Sequence, residues 1–165
     1  MADPYPARSE SPHLAGAPGP LLDRFLARLI DGLIIGIPLA IVLGIVLNGI
    51  LGLGQVGSFL SSLIISAAAI GYYAVLESSN GRTIGKSIMK LQVAGPDGRP
   101  PSMDQALRRN AWLALGMLSG VPFLGILTGL AELGLVIAIA VTIGGDKIAR
   151  RGIHDTFAGT RVVKV

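Results

Sequence analysis

Apolar residues fill three stretches of the chain, 29–53, 56–76 and 111–143, and the charged residues gather between and around them. A run of about 20 apolar residues, wound as an α-helix, matches the hydrocarbon thickness of a bilayer. The first two stretches each predict one membrane-spanning helix, over about 25–52 and 57–76. The third is too long for one simple span and slightly short for two, and Gly120-Val121-Pro122 offers a break within it. The favoured reading has four passages, the last two over about 105–120 and 123–143, with the third short, tilted or re-entrant. A three-passage reading stays open.

The polar segments carry their own pattern. Residues 77–104 form a loop that includes KLQVAG, a strand-like run, followed by Pro96-Asp97-Gly98, a strong turn signal. Ser102-Met103-Asp104 is suited to open a helix that runs through Arg108 and Arg109. The segment 144–165 ends in TRVVKV, which also alternates like a strand. A lone exposed strand is unstable, so the two runs are expected to pair, which requires them to lie on one side of the membrane. Residues 1–20 are rich in Pro, Ala, Ser and Gly and read as a flexible tail. The fold class is thus all-α and integral to the membrane: a small bundle of three to four helices over residues 21–165, with a small cytoplasmic β element.

Composition agrees with this reading. Hydrophobic residues make up 51% of the 165, and the mean hydropathy is +0.64, too apolar for an ordinary soluble domain. The first twenty residues have no apolar core, so a cleaved secretory signal is not expected. There is no cysteine, which excludes disulfides, thiolate catalysis and cysteine-based metal sites. The net charge of +4 would suggest nucleic acid for a soluble protein. Here it fits basic loops beside anionic lipid headgroups. The start of the first span, the 77–110 segment and the C-terminal segment are all basic, so all three are expected on the cytoplasmic side, with an even number of crossings between them.

Candidate chemistry is sparse. Arg24, Arg28 and Asp31 stand at the mouth of the first span, and no charged residue follows Asp31 until Glu77. A carboxylate near hydrocarbon is costly unless it is paired, protonated, hydrated or functional. Arg28, three residues away, can reach Asp31 on a helix. Arg24 lies about 10 Å away along the axis, and Arg108 or Arg109 are other possible partners. Asp31 is either a structural ion pair or a gated ion site. Glu132, near the middle of the last helix, is either hydrogen-bonded to Asn48 or Thr128, or carries protons. His154-Asp155 follows Arg150 and Arg151. It reads as a cap or turn network in which Asp155 receives Arg82, Arg108 or Arg109, and no nucleophile accompanies it. With His13 the only other histidine, no metal site is expected.

Three further features are weaker. Asn80-Gly81-Arg82-Thr83-Ile84-Gly85-Lys86 mimics part of a phosphate loop without its full spacing. Headgroup contact by Arg82, Lys86, Lys90, Arg108 and Arg109 is the alternative use of these cations. Tyr72 and Tyr73 stand where an interfacial aromatic belt belongs. Gly32, Gly36, Ala40 and Gly44 recur every four residues, a groove for close helix packing within the bundle or between copies.

Arg24-Phe-Leu-Ala-Arg-Leu-Ile-Asp31, Gly81-Arg-Thr-Ile-Gly-Lys86 with Leu91–Gly98 and Arg109-Asn110, and Gly152-Ile-His-Asp155-Thr-Phe-Ala-Gly-Thr160-Arg-Val-Val163 follow one another in order. Together they resemble the RDD family of bacterial membrane proteins, named for an arginine and two aspartates. The resemblance covers about Leu21 to Val165 and implies a multi-pass protein of the bacterial cell membrane. It matches Arg24 and Asp31 to the arginine and first aspartate, and Asp155 to the second. Transport of ions or small ligands is the activity it implies. Glu132 departs from the family pattern. An accessory or scaffold subunit, bound to a larger membrane protein or to its own copies, is the alternative function. Neither an enzyme nor a cofactor is expected.

Overall fold

A computed structural model describes residues 16–165 of the protein. Most of the expected flexible tail, residues 1–15, lies outside the described residues. Helix α1 runs over Leu21–Ile50. Residues 32–36 and 44–50 are wound with wider, π-type turns. Pro38 has no N–H to give to a helical turn, and local widening is one way a membrane helix accommodates a proline. Helix α2 follows over Gly54–Asn80, longer than expected and extending past Glu77. It stops because Gly81 takes the left-handed conformation, φ 75°, and returns its N–H to the Glu77 carbonyl at 2.9 Å.

The expected loop 77–104 is therefore largely built. After the end of α2 come helix α3, Ile84–Ile88, and strand β1, Leu91–Ala94. The Pro-Asp-Gly turn closes with Gly95 N–H on the Arg99 carbonyl at 2.8 Å. Helix α4, Met103–Asn110, opens on a capping box in which Ser102 and Gln105 satisfy each other's backbone N–H groups at 3.2 and 2.9 Å. The chain then tightens into a 3₁₀ segment, Ala111–Leu118. Helix α5 covers Leu124–Gly145, short helix α6 covers Ile153–Ala158, and strand β2 covers Arg161–Lys164.

Three helices, α1, α2 and α5, are long and apolar enough to cross a membrane. The 3₁₀ segment, Ala111–Leu118, is shorter than these three. Asn110 donates to Glu77 at the end of α2, Ser62 donates to the Met117 carbonyl at 2.8 Å, and Gln55 at the start of α2 donates to the Gly120 carbonyl. The segment therefore runs antiparallel along the length of α2. A 3₁₀ turn rises about 2.0 Å per residue against about 1.5 Å for an α-helix, so few residues reach far. Apolar side chains such as Ile41, Ile45, Leu130 and Val141 point outward, more than half exposed. Such a surface suits lipid and not water.

Strands β1 and β2 pair antiparallel, with Leu91 opposite Lys164 and Val93 opposite Val162. The last residues of the supposed tail correct the sequence reading. Gly19 N–H donates to the Val162 carbonyl at 3.0 Å, and Lys164 N–H donates to the Ala17 carbonyl at 2.8 Å. Residues 16–20 thus lie along the free edge of β2, where backbone groups otherwise need water. Leu91, Val93 and Val162 bury against Ala27 of α1, which fastens the sheet to the first span.

The glycines that allow close packing are not the ones the four-residue repeat suggested. A Cβ on Gly32, Gly36 or Gly44 would meet nothing within 4 Å, and Ala40 is exposed. That face of α1 packs against no described residue, so the expected internal packing of the groove is absent there. The close approaches are elsewhere. Gly120 lies against the backbone of Ser58 and Phe59, Gly116 against Ser66, and Gly85 against the Ala27 carbonyl and the Asp31 carboxyl group. Gly85→Ala should therefore cost about 1–3 kcal/mol, as overpacking does. Gly36→Ala should leave stability unchanged or raise it. Thermal unfolding in mild detergent checks this, and equal effects at the two positions would contradict the packing described.

Candidate functional site

The polar residues flanking the apolar helices converge at one end of the bundle, where the start of α1, the ends of α2 and α5, and all the short elements meet. Three buried carboxylates organise this end: Asp31, Glu77 and Asp155, each at most 2% exposed.

Asp31 does not pair with an arginine. It accepts hydrogen bonds from the Tyr72 hydroxyl at 2.8 Å, the Thr83 hydroxyl at 2.7 Å and the Gly85 N–H at 2.7 Å. The last two groups belong to the first turn of α3 and its cap, where backbone N–H groups lack helical partners. Asp31 thus caps α3 from another helix. The phosphate-loop mimicry of residues 80–86 has the same cause. The donors that would meet a phosphate are already turned onto an internal carboxylate. Tyr72 correspondingly serves this cap, and Tyr73, 6% exposed, is packed inside, so neither forms an interfacial belt.

Glu77, which the sequence reading left in a loop, is a centre of the cluster. It accepts from Lys86 Nζ at 2.5 Å and Asn110 Nδ2 at 3.0 Å, and Arg109 Nε lies 3.4 Å away. Lys86 is buried with it and is no headgroup residue. Burial pushes Lys86 below the usual lysine pKa, and Glu77 opposes that shift.

Asp155 joins the two ends of the described chain. It pairs with Arg24 at 2.8 Å and with Arg109, and accepts from the Gly152 N–H at 3.1 Å. The cap and the Arg109 contact follow the sequence reading; the Arg24 partner was not foreseen. Arg82 bonds Gln92 at 3.2 Å, and Arg108 forms an exposed pair with Asp104 at 2.9 Å, so neither reaches Asp155. Lys90 is exposed. Burial would raise the Asp155 pKa, but Arg109 and Arg24 outweigh it and hold the group below the usual carboxylate value. His154 is pushed down to about 3, first by burial and then by Arg109. It is therefore neutral at ordinary pH and adds no charge.

Arg28 is the exception among the cations. Its guanidinium lies 3.9 Å from the Tyr73 ring centre and 5.0 Å from that of Trp112, and Nη1 donates to Asn110 at 3.2 Å. No carboxylate pairs with it among the described residues, and its buried Nη2 has no hydrogen-bond partner there. Arg28 borders a cavity of about 160 Å³ between α1 and α5, with Arg24, Lys86, Arg109 and His154 also on its wall. Among the described residues, no three His, Asp or Glu side chains gather to hold a metal.

Glu132 stands apart from this cluster. It hydrogen-bonds neither Asn48 nor Thr128. Its carboxyl group faces Gly116 beside Ser66, at the crossing of α2, α5 and the 3₁₀ segment. Asn48 instead lies against Gly57, and the Thr128 hydroxyl donates to the Gly125 carbonyl.

Asp155→Asn would leave Arg24 and Arg109 against an amide, a loss of about 3–5 kcal/mol for a broken buried pair. Because the folded pKa of Asp155 lies below its unfolded value, its contribution is present above about pH 4 and disappears as the pH falls through the folded pKa. The gap in thermal midpoint between wild type and variant should therefore narrow on acidification from pH 7 to pH 3. A gap of constant size would contradict the ionised pair.

Comparison with known proteins adds one positive finding. The RDD family model matches residues 18–159, which takes in α1 and all three centres of the cluster. No curated protein and no solved structure gives a significant match. The match includes Arg24, Asp31 and Asp155, the three residues that the sequence resemblance singled out; Arg24 and Asp155 form an ion pair, while Asp31 caps α3. On a match that covers most of its length, the chain belongs to the RDD family.

Proposed function

We propose that this protein binds a small anionic ligand at the Arg28 cavity as part of a transport role, in a bacterial cell membrane with both chain ends toward the cytoplasm. The observation that carries the reading is the charge distribution. The oxygens of Asp31, Glu77 and Asp155 are all taken up by internal donors, so none is open to a passing cation. Arg28, by contrast, has a donor with no partner among the described residues, beside a cavity. Four cations, Arg24, Arg28, Lys86 and Arg109, stand near three carboxylates, which leaves one positive charge. A partly buried, unpaired charge is unfavourable, and an anion would relieve it. The excess of basic residues at this end supports the cytoplasmic assignment. The reading is of a binding and transport protein and involves no catalysis.

One observation favours the accessory reading. The Gly32–Gly36–Gly44 face of α1 meets no described residue, as it would if a partner helix covered it. The mass of the particle purified in mild detergent separates a homo-oligomer from a complex with another protein.

The anion reading is tested on delipidated protein in neutral detergent, titrated with phosphate-bearing probes. The thermal midpoint should rise with probe concentration, and Arg28→Gln should weaken the response about tenfold, the loss expected for one charge-assisted hydrogen bond. A sodium or proton flux in proteoliposomes that Asp31→Asn abolishes in a folded protein would overturn it.

A further inference from the structure

Resting on the anion reading of the Arg28 cavity, we infer that its ligand is an anionic amphiphile: a lipid whose phosphodiester headgroup carries a net negative charge, its phosphate on Arg28 and an acyl chain in the crevice between α1 and α5. The walls of the cavity differ from its base. The base carries the guanidinium of Arg28 and the edges of the other cations, whereas one wall is Leu21 and Phe25 of α1 and the other is Val136, Ile139, Ala140 and Ile143 of α5. The α5 residues fall three and four apart and so share one helix face. A free inorganic anion would fill the base and leave apolar walls against water, which is unfavourable in proportion to their area. An acyl chain covers them.

Depth and charge agree with a membrane lipid. Arg28 lies two turns into α1, near the level where headgroups meet acyl chains, and basic pockets between spans at the cytoplasmic side are suited to anionic headgroups. Phe25 and Val136 line the cavity and are 59% and 44% exposed on the apolar outer surface, so a lipid can enter sideways between them. The single uncompensated positive charge matches the single net charge of an anionic phosphodiester headgroup, which a zwitterionic one with its own ammonium does not supply. In this account, the lipid is part of the site, and the ion cluster holds the headgroup seat rigid.

The test uses the full chain, delipidated in neutral detergent, with thermal shift and native mass spectrometry as readouts. The probes are phosphatidylglycerol, phosphatidylcholine, glycerol phosphate and inorganic phosphate. Phosphatidylglycerol should bind at least about tenfold more tightly than the other three. Arg28→Gln should remove its advantage over phosphatidylcholine. Ala140→Phe, which fills the crevice and leaves every charge in place, should weaken lipid binding in a protein that still folds. If glycerol phosphate or inorganic phosphate binds as tightly as phosphatidylglycerol and depends on Arg28, the amphiphile is overturned and the anion site stands. If phosphatidylglycerol and phosphatidylcholine bind alike and Arg28→Gln changes neither, both the amphiphile and the anion site fall.

Discussion

One guanidinium ties the ends of this bundle together. Arg109, 4% exposed, reaches Glu77 at the end of α2 and Asp155 at the start of α6, and Asp155 in turn holds Arg24 at the start of α1. Each carboxylate would be costly to bury alone, and each arginine equally so. Because the groups neutralise one another only when α1, α2, α4 and α6 all end at the same place, the cluster imposes a register on the helices. The apolar surfaces cannot supply this, since they are as content against lipid as against one another. The paired strands and the cap on α3 follow from that convergence.

Much of this was legible in the amino-acid sequence where a local rule applied. Apolar length marked the spans, alternation marked both strands, and Ser102 with Gln105 marked the start of α4. Basic residues in three segments implied that those segments share a side, and the ion pairs join them. The rest depended on distance in three dimensions. Arg28 and Asp31 are spaced to meet along a helix, yet α3 docks on Asp31 and the stacked Tyr73 and Trp112 hold Arg28. Glu77 looked like a loop residue because it follows the apolar run. Its helical spacing from Ser58, Ser62, Ser66 and Tyr73 places it on the face of α2 that packs inward, a signal available in the sequence but hidden by the span boundary. The repeat of small residues in α1 pointed to packing that the described chain does not use, while Gly85 and the Gly116–Gly120 pair, itself spaced by four, allow the close contacts. The 3₁₀ winding of residues 111–118 was not legible, because the apolar run there was read as α-helix.

The buried carboxylates and Arg28 differ in how fully their partners are supplied. Asp31 and Asp155 are both saturated by internal donors, which makes them architectural: one positions α3, the other gathers the chain ends. Arg28, held by two aromatic rings and Asn110, has no carboxylate partner among the described residues and stands next to the cavity. A small bundle of this kind has little interior to enclose a cargo, and the crevice between α1 and α5 is lined in part by the exposed apolar residues Phe25 and Val136. A ligand that arrives through the lipid therefore fits the architecture better than one that crosses a closed pore.

The dependence of the bundle on Arg109 is measured most directly by a double-mutant cycle between Arg109→Gln and Asp155→Asn, read as unfolding free energies in one detergent. If Arg109 and Asp155 act as one unit, the double variant should lose less than the sum of the two single losses, with a coupling of about 0.5–3 kcal/mol. Losses that simply add would show that the two groups stabilise the protein independently, and would contradict the claim that this contact sets the register of the bundle.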